Sequence, residues 1–104
     1  MRWKILITEE FERAFEKLDP SLQRRVENEI NRLEENPYVG KPLGYKFFRE
    51  KKILNYRVYY LVYDELVVVF VVALSDKKGQ QKAISAIKSL IPFYREEVSK
   101  RISP

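Results

Sequence analysis

The densest apolar stretch of the chain is Leu54–Leu74 (LNYRVYYLVYDELVVVFVVAL), broken in its middle by Asp64-Glu65. Val, Tyr and Phe dominate it. These residues suit a pleated, half-buried surface, so the stretch predicts two strands joined at the acidic pair. The second run, Leu66–Leu74, has no polar residue and predicts a central strand covered on both faces. The first run carries one charge, Arg57. Counting by twos, Arg57 shares a face with Tyr59, Leu61 and Tyr63, while Tyr56, Val58, Tyr60 and Val62 point the other way.

Upstream, Trp3–Thr8 reads as a short strand, and Thr8 as an N-cap with Glu9 and Glu10 in the first helical turn. Phe11, Ala14, Phe15 and Leu18 then recur at helical spacing. Asp19-Pro20 restarts a helix whose apolar face is Leu22, Val26, Ile30 and Leu33, and Asn36-Pro37 stops it. Pro37–Gly44 is turn-rich. Tyr45–Lys52 predicts one strand, with Tyr45, Phe47 and Arg49 on one side and Lys46, Phe48 and Glu50 on the other. After Leu74, Ser75–Gly79 reads as a polar loop with Ser75 or Asp76 as N-cap. Ala83, Ile84, Ile87, Leu90 and Ile91 form a last helical stripe, which Pro92 should kink or break. The predicted order is β-α-α-β-β-β-α. It describes an α+β fold, an antiparallel-rich sheet packed by an N-terminal αα-hairpin, in one domain over residues 1–104 with 92–104 as a C-terminal extension.

Composition removes several chemistries. With no Cys and no His in 104 residues, disulfides, thiolate nucleophiles and histidine acid–base or metal chemistry are excluded. No metal-ligating spacing stands out among the carboxylates, so no metal or cofactor is expected. No apolar run approaches the roughly 20 residues of a membrane helix, and no signal peptide is recognisable, so the expected location is cytoplasmic. The net charge of +5 is uneven. Residues 37–63 hold six basic side chains (Lys41, Lys46, Arg49, Lys51, Lys52, Arg57) against one acidic, Glu50. A local positive field of this kind favours a polyanion, nucleic acid first.

Arg57 suits two environments. It can be a sheet-edge arginine packed on tyrosines and paired with a helix glutamate, or a guanidinium held on a rigid strand and aimed at a phosphate. The pattern does not separate them. The Lys41–Lys52 cluster is likewise either a solvated face or, with Tyr45, Phe47 and Phe48 interleaved, a surface for RNA or DNA. The tyrosines and the helix-face glutamates read as sheet composition and solvated charge.

The segments FERAFEKLDPSLQRRVENEINRLEENP, KPLGYKFF and NYRVYYLVYDELVVVFVVALSDKK resemble the RelE/ParE superfamily of toxin–antitoxin toxins, over about residues 3–80. The most specific element is Tyr56-Arg57 followed by an apolar strand and a basic loop. A RelE-like toxin would be a metal-independent endoribonuclease that cuts mRNA in the ribosomal A site by attack of the RNA's own 2′-hydroxyl. The resemblance assigns Arg57 and Lys77 to phosphate and Lys46, as a strand lysine, to proton transfer. Lys41, Arg49, Lys51, Lys52 and Lys78 would position RNA. A cognate antitoxin would neutralise the toxin, and free copies would self-associate as a homodimer through the surface it covers.

The chain departs from the RelE pattern at three positions. Phe48 stands where a second strand lysine is expected, unless a two-residue slip brings in Arg49 or Lys52. Lys77 replaces a loop arginine, and Ala83 stands near an expected tyrosine, with Tyr94 too far along to replace it. A ParE-like inhibitor of DNA gyrase that does no chemistry, or a toxin fold kept for binding alone, are the alternatives these departures raise.

Overall fold

The computed structural model describes residues 2–103. Strand β1 (Lys4–Ile7) leads into helices α1 (Glu9–Glu16) and α2 (Pro20–Arg32). A 3-10 turn over Pro37–Val39 opens a run of four strands: β2 (Lys41–Tyr45), β3 (Phe48–Ile53), β4 (Tyr56–Tyr63) and β5 (Val68–Asp76). Helix α3 (Gln80–Ile102) follows. The five strands form one sheet in the order β1-β5-β4-β3-β2, antiparallel except where β1 runs parallel to β5.

The α+β class and the helix hairpin agree with the sequence pattern, and the caps fall where it put them. The Thr8 hydroxyl accepts the Phe11 N–H at 3.0 Å and donates to the Val72 carbonyl at 2.9 Å, so one side chain starts α1 and ties it to β5. Asp19 accepts the Leu22 N–H at 3.0 Å, which holds its carboxyl below the usual range, and Pro20 opens α2.

Each face of the sheet buries its own core. Phe11, Val26 and Leu33 from α1, α2 and the end of α2 pack on Val58, Tyr60, Val62, Val69 and Val71. On the other face Ile87 and Val98 of α3 pack on Phe48, Tyr59, Leu61, Tyr63, Phe70 and Val72. The alternation in β4 is thus the one its sequence predicts. Val68–Val72 are buried throughout, as an interior strand between two helical layers must be.

Three expectations are corrected. The segment Tyr45–Lys52 is not one strand: it splits into β2 and β3 around a turn at Lys46-Phe47, giving one more strand than predicted. Nothing local in Lys46-Phe47 signals this turn. It is closed by Arg49, whose Nη1 donates to the Lys46 carbonyl at 2.8 Å, with Gly44 at φ +89° and an irregular register between Pro42 and Tyr45 just before it. Second, α3 runs unbroken through Pro92. Pro92 is exposed, where water can satisfy the carbonyl deprived of its donor, while Ile87 and Val98 on either side are buried. Residues 92–102 of the expected extension are therefore helix, and residue 104 lies outside the described residues. Third, β5 extends to Asp76, so neither Ser75 nor Asp76 is the N-cap of α3. Gly79 takes that position, with its N–H donated to Asp76 Oδ1 at 2.9 Å.

Among the described residues, no helix is long and apolar enough to cross a membrane.

Candidate functional site

Arg57 sits near the start of β4 with Lys52 of β3 on one side and Ser75 of β5 on the other. It is only 7% exposed, yet its guanidinium is almost unused. Nη1 donates to the Asn55 carbonyl at a long 3.3 Å, and the buried Nε has no partner among the described residues. No carboxylate lies within ion-pair distance of Arg57 among the described residues. The environment of a paired edge arginine is therefore not the one observed. A guanidinium presents five donors and cannot shed its proton, so this one has donors available for an anion.

It lines an open groove of about 480 Å³ together with Gly40, Lys41, Glu50, Lys52 and Gln80. The register explains the assembly. Lys41 lies opposite Glu50, Glu50 opposite Tyr59, and Lys52 opposite Arg57, so all of them share the α3 face of the sheet. Gln80, the first residue of α3, closes one wall. Its Nε2 donates to both oxygens of Glu50 at 3.0 and 3.2 Å. Tyr59, directly across from Glu50, shares a hydrogen bond of 2.8 Å with the Ser75 hydroxyl, and burial pushes its phenol up from its ordinary value. Lys77 and Lys78 are exposed in the turn that leaves β5 after Asp76, which pairs with Tyr56, so they leave the sheet at the Arg57 end.

The remaining basic residues of the 37–63 cluster do not join this groove in the way the sequence suggested. Arg49 points to the helix-hairpin side and is consumed there. Its Nε, Nη1 and Nη2 donate to the carbonyls of Gly40, Lys46 and Tyr38 at 3.0, 2.8 and 3.0 Å, with its plane 5.2 Å from the Tyr38 ring centre. Lys51 borders the groove, but its ammonium is turned to the other face, 3.6 Å from Glu29 of α2. Lys46, expected on a strand beside Arg57, lies in the β2–β3 turn, 5.3 Å from the Tyr38 ring centre. It lines a different cavity of about 440 Å³ with Phe47, Tyr63, Asp64 and Arg95. The inserted turn carries it to the far end of β3. Lys46 therefore does not stand where a residue must be to exchange a proton with a phosphate held by Arg57.

Two groove residues were missed. Glu50 was legible in principle, as the one acidic residue of the basic stretch, on the predicted face of Phe48. Gln80 was not, because its place depends on where α3 begins.

Chemically, the groove offers a buried guanidinium with free donors, two unpaired lysines, and a carboxylate whose one donor is neutral. It can hold a phosphodiester and accept a proton beside it.

Residues 5–80 match the family model described as ParE toxin of type II toxin–antitoxin system, parDE. The chain therefore belongs to this family within the RelE/ParE superfamily. Its fold is that of RelE toxins. A doubly substituted variant of E. coli toxin RelE in the free state superposes with a TM-score of 0.70 at 22% identity, covering 99% of this chain and 100% of that one. The toxin–antitoxin complex RelBE2 from Mycobacterium tuberculosis gives 0.66 at 23%, covering 74% and 93%. The archaeal RelE–RelB complex from Pyrococcus horikoshii gives 0.65 at 21%, covering 74% and 97%. Among functionally curated proteins no significant sequence match is found.

Proposed function

We propose that this toxin-family protein is an endoribonuclease that cuts mRNA in the ribosomal A site and is held inactive by a cognate antitoxin. The observation that carries the reading is Arg57, a buried guanidinium whose Nε has no partner among the described residues, lining an open groove with Lys41 and Lys52, neither of which is ion-paired among those residues. In this reading Arg57 binds the scissile phosphate and stabilises the charge that grows on its oxygens as the RNA's 2′-hydroxyl attacks. Lys52, directly across from Arg57, and Lys41 hold the flanking phosphates, and Lys77 and Lys78 extend the basic track along the RNA. The antitoxin rests on the family and on the relatives solved with antitoxin bound.

The test is translation-coupled cleavage with ribosomes programmed at defined A-site codons, comparing wild type with Arg57→Ala. A-site cuts made by the wild type and lost in the folded variant support the proposal; intact RNA with folded wild type overturns it.

A second reading is favoured by one finding, that the matching family model is that of ParE. The protein would then inhibit DNA gyrase by binding, without chemistry. A supercoiling assay separates the two: gyrase inhibition that survives Arg57→Ala, with no RNA cleavage, selects it.

A further inference from the structure

We propose that Glu50 is the general base of the reaction and Gln80 the residue that positions it. The inference rests on the ribonuclease reading and goes beyond it, because neither residue carries a role in that reading.

A carboxylate that is 7% exposed normally takes a cation or several backbone N–H groups as partners. Glu50 has neither among the described residues; its hydrogen bonds come from the side-chain amide of Gln80 alone. Two carboxylate oxygens offer about four acceptor positions, so most of its capacity is unused. The groups that face it are Lys41 from β2, Tyr59 and Arg57 from β4, Lys52 on its own strand and Gln80 from α3, with Asp76 at the end of β5 and Lys77 and Lys78 in the turn after it at the Arg57 end. Arg57 lies on the diagonal from Glu50 across the β3–β4 pair, which sets their Cβ atoms roughly 7–8 Å apart. That separation lets a phosphodiester sit on Arg57 while the adjoining ribose reaches the carboxylate. Five cations (Lys41, Lys52, Arg57, Lys77 and Lys78) against two carboxylates (Glu50 and Asp76) leave the groove attractive to RNA.

The step balances without any further reactant. The 2′-oxygen forms a bond to the adjacent phosphorus as its proton passes to Glu50. The bond from phosphorus to the 5′-oxygen breaks, and that oxygen takes a proton from Lys52. The products are a 2′,3′-cyclic phosphate and a 5′-hydroxyl. Glu50 then returns its proton to water and Lys52 regains one from it. Gln80 holds the carboxylate facing the groove through its two-oxygen contact.

The experiment is single-turnover cleavage of A-site mRNA on programmed ribosomes across pH, with wild type, Glu50→Gln, Glu50→Asp, Gln80→Ala and Arg57→Ala, each checked for folding by circular dichroism. Glu50→Gln is near-isosteric. It should cut the rate by about 10²–10⁴-fold and abolish the fall in rate on the acid side of the wild-type profile. Glu50→Asp should restore part of the rate together with that acid limb. Gln80→Ala should lower the rate while keeping the limb, with RNA binding unchanged. A Glu50→Gln rate within about threefold of wild type, while Arg57→Ala has lost activity, overturns the role of Glu50 and leaves the ribonuclease reading intact. Absence of cleavage by the wild type overturns both.

Discussion

Two arginines eight positions apart, Arg49 and Arg57, occupy adjacent strands and opposite faces of the same sheet, and they do opposite work. Arg49 spends its guanidinium on three backbone carbonyls from two segments, Tyr38 and Gly40 in one and Lys46 in the other, and lies against the Tyr38 ring. It fastens the 3-10 turn, the start of β2 and the β2–β3 turn to one another. Arg57 is buried more deeply yet uses one weak hydrogen bond. Leaving buried donors unmet costs stability, on the order of 1–3 kcal/mol for a polar group. Under the proposed function, the RNA phosphate held by Arg57 would offset that cost. Burial of charge is common to both; what distinguishes a functional cation is its unfilled valence.

The sharpest way to break this comparison is Arg57→Ala. RNA cleavage should fall by about 10²–10³-fold, as on loss of a donor to a developing oxyanion, while the denaturation midpoint moves little. Arg57→Lys, which keeps the charge but loses the fork, should recover only part of the rate. Arg49→Ala should behave the other way. Folding stability drops by about 2–4 kcal/mol in urea titration because three charge-assisted bonds to carbonyls disappear, and the rate per folded molecule stays near wild type. Should Arg49→Ala abolish cleavage with stability intact, the division of labour is wrong.

The lysines sharpen the same contrast more gently. Lys52→Ala should reduce the slope of log affinity against log salt for a single-stranded RNA by about 0.7, the share of one phosphate contact. Lys51→Ala, one residue away but paired with Glu29 on the other face, should leave that slope unchanged.

The smallest effect concerns Tyr38, the ring under Arg49. Burial, and then the hydrogen bond and charge of Asp64, push its phenol up from 10.0 to about 12. The folded state thus holds this proton more tightly than the unfolded chain. Its contribution to stability is complete below about pH 10 and is lost as the pH rises towards 12. Ultraviolet titration should show a late-ionising tyrosine whose transition moves down in Asp64→Asn.

The comparison also shows which features the sequence makes legible. Periodicity and caps carry the hairpin and the two faces of β4, because Thr8, Asp19 and the alternation at Val58–Tyr63 act locally. Arg57 stands out as a charge in an apolar strand. The split between β2 and β3 does not show, because its turn is held by Arg49 reaching carbonyls several residues distant. That turn is also what removes Lys46 from the groove. The Glu50–Gln80 bond joins residues thirty positions apart and exists only once α3 docks on the sheet. Pro92 reads as a helix breaker in isolation, whereas the apolar contacts of Ile87 and Val98 hold the helix through it.

The parallel pairing of β1 with β5 has a consequence for the timing of synthesis. Thr8 reaches Val72 across 64 positions, and Arg101 reaches the Ile7 carbonyl across 94. An emerging chain can close the first contact only once Val72 has left the exit tunnel and the second only once Arg101 has, and such distant pairings are slow to form. The first strand must therefore wait, unpaired, for the fourth strand to follow it. Until then the groove lacks its Gln80 wall. Under the proposed function, a nascent copy would therefore lack its assembled groove while it is still beside the ribosome.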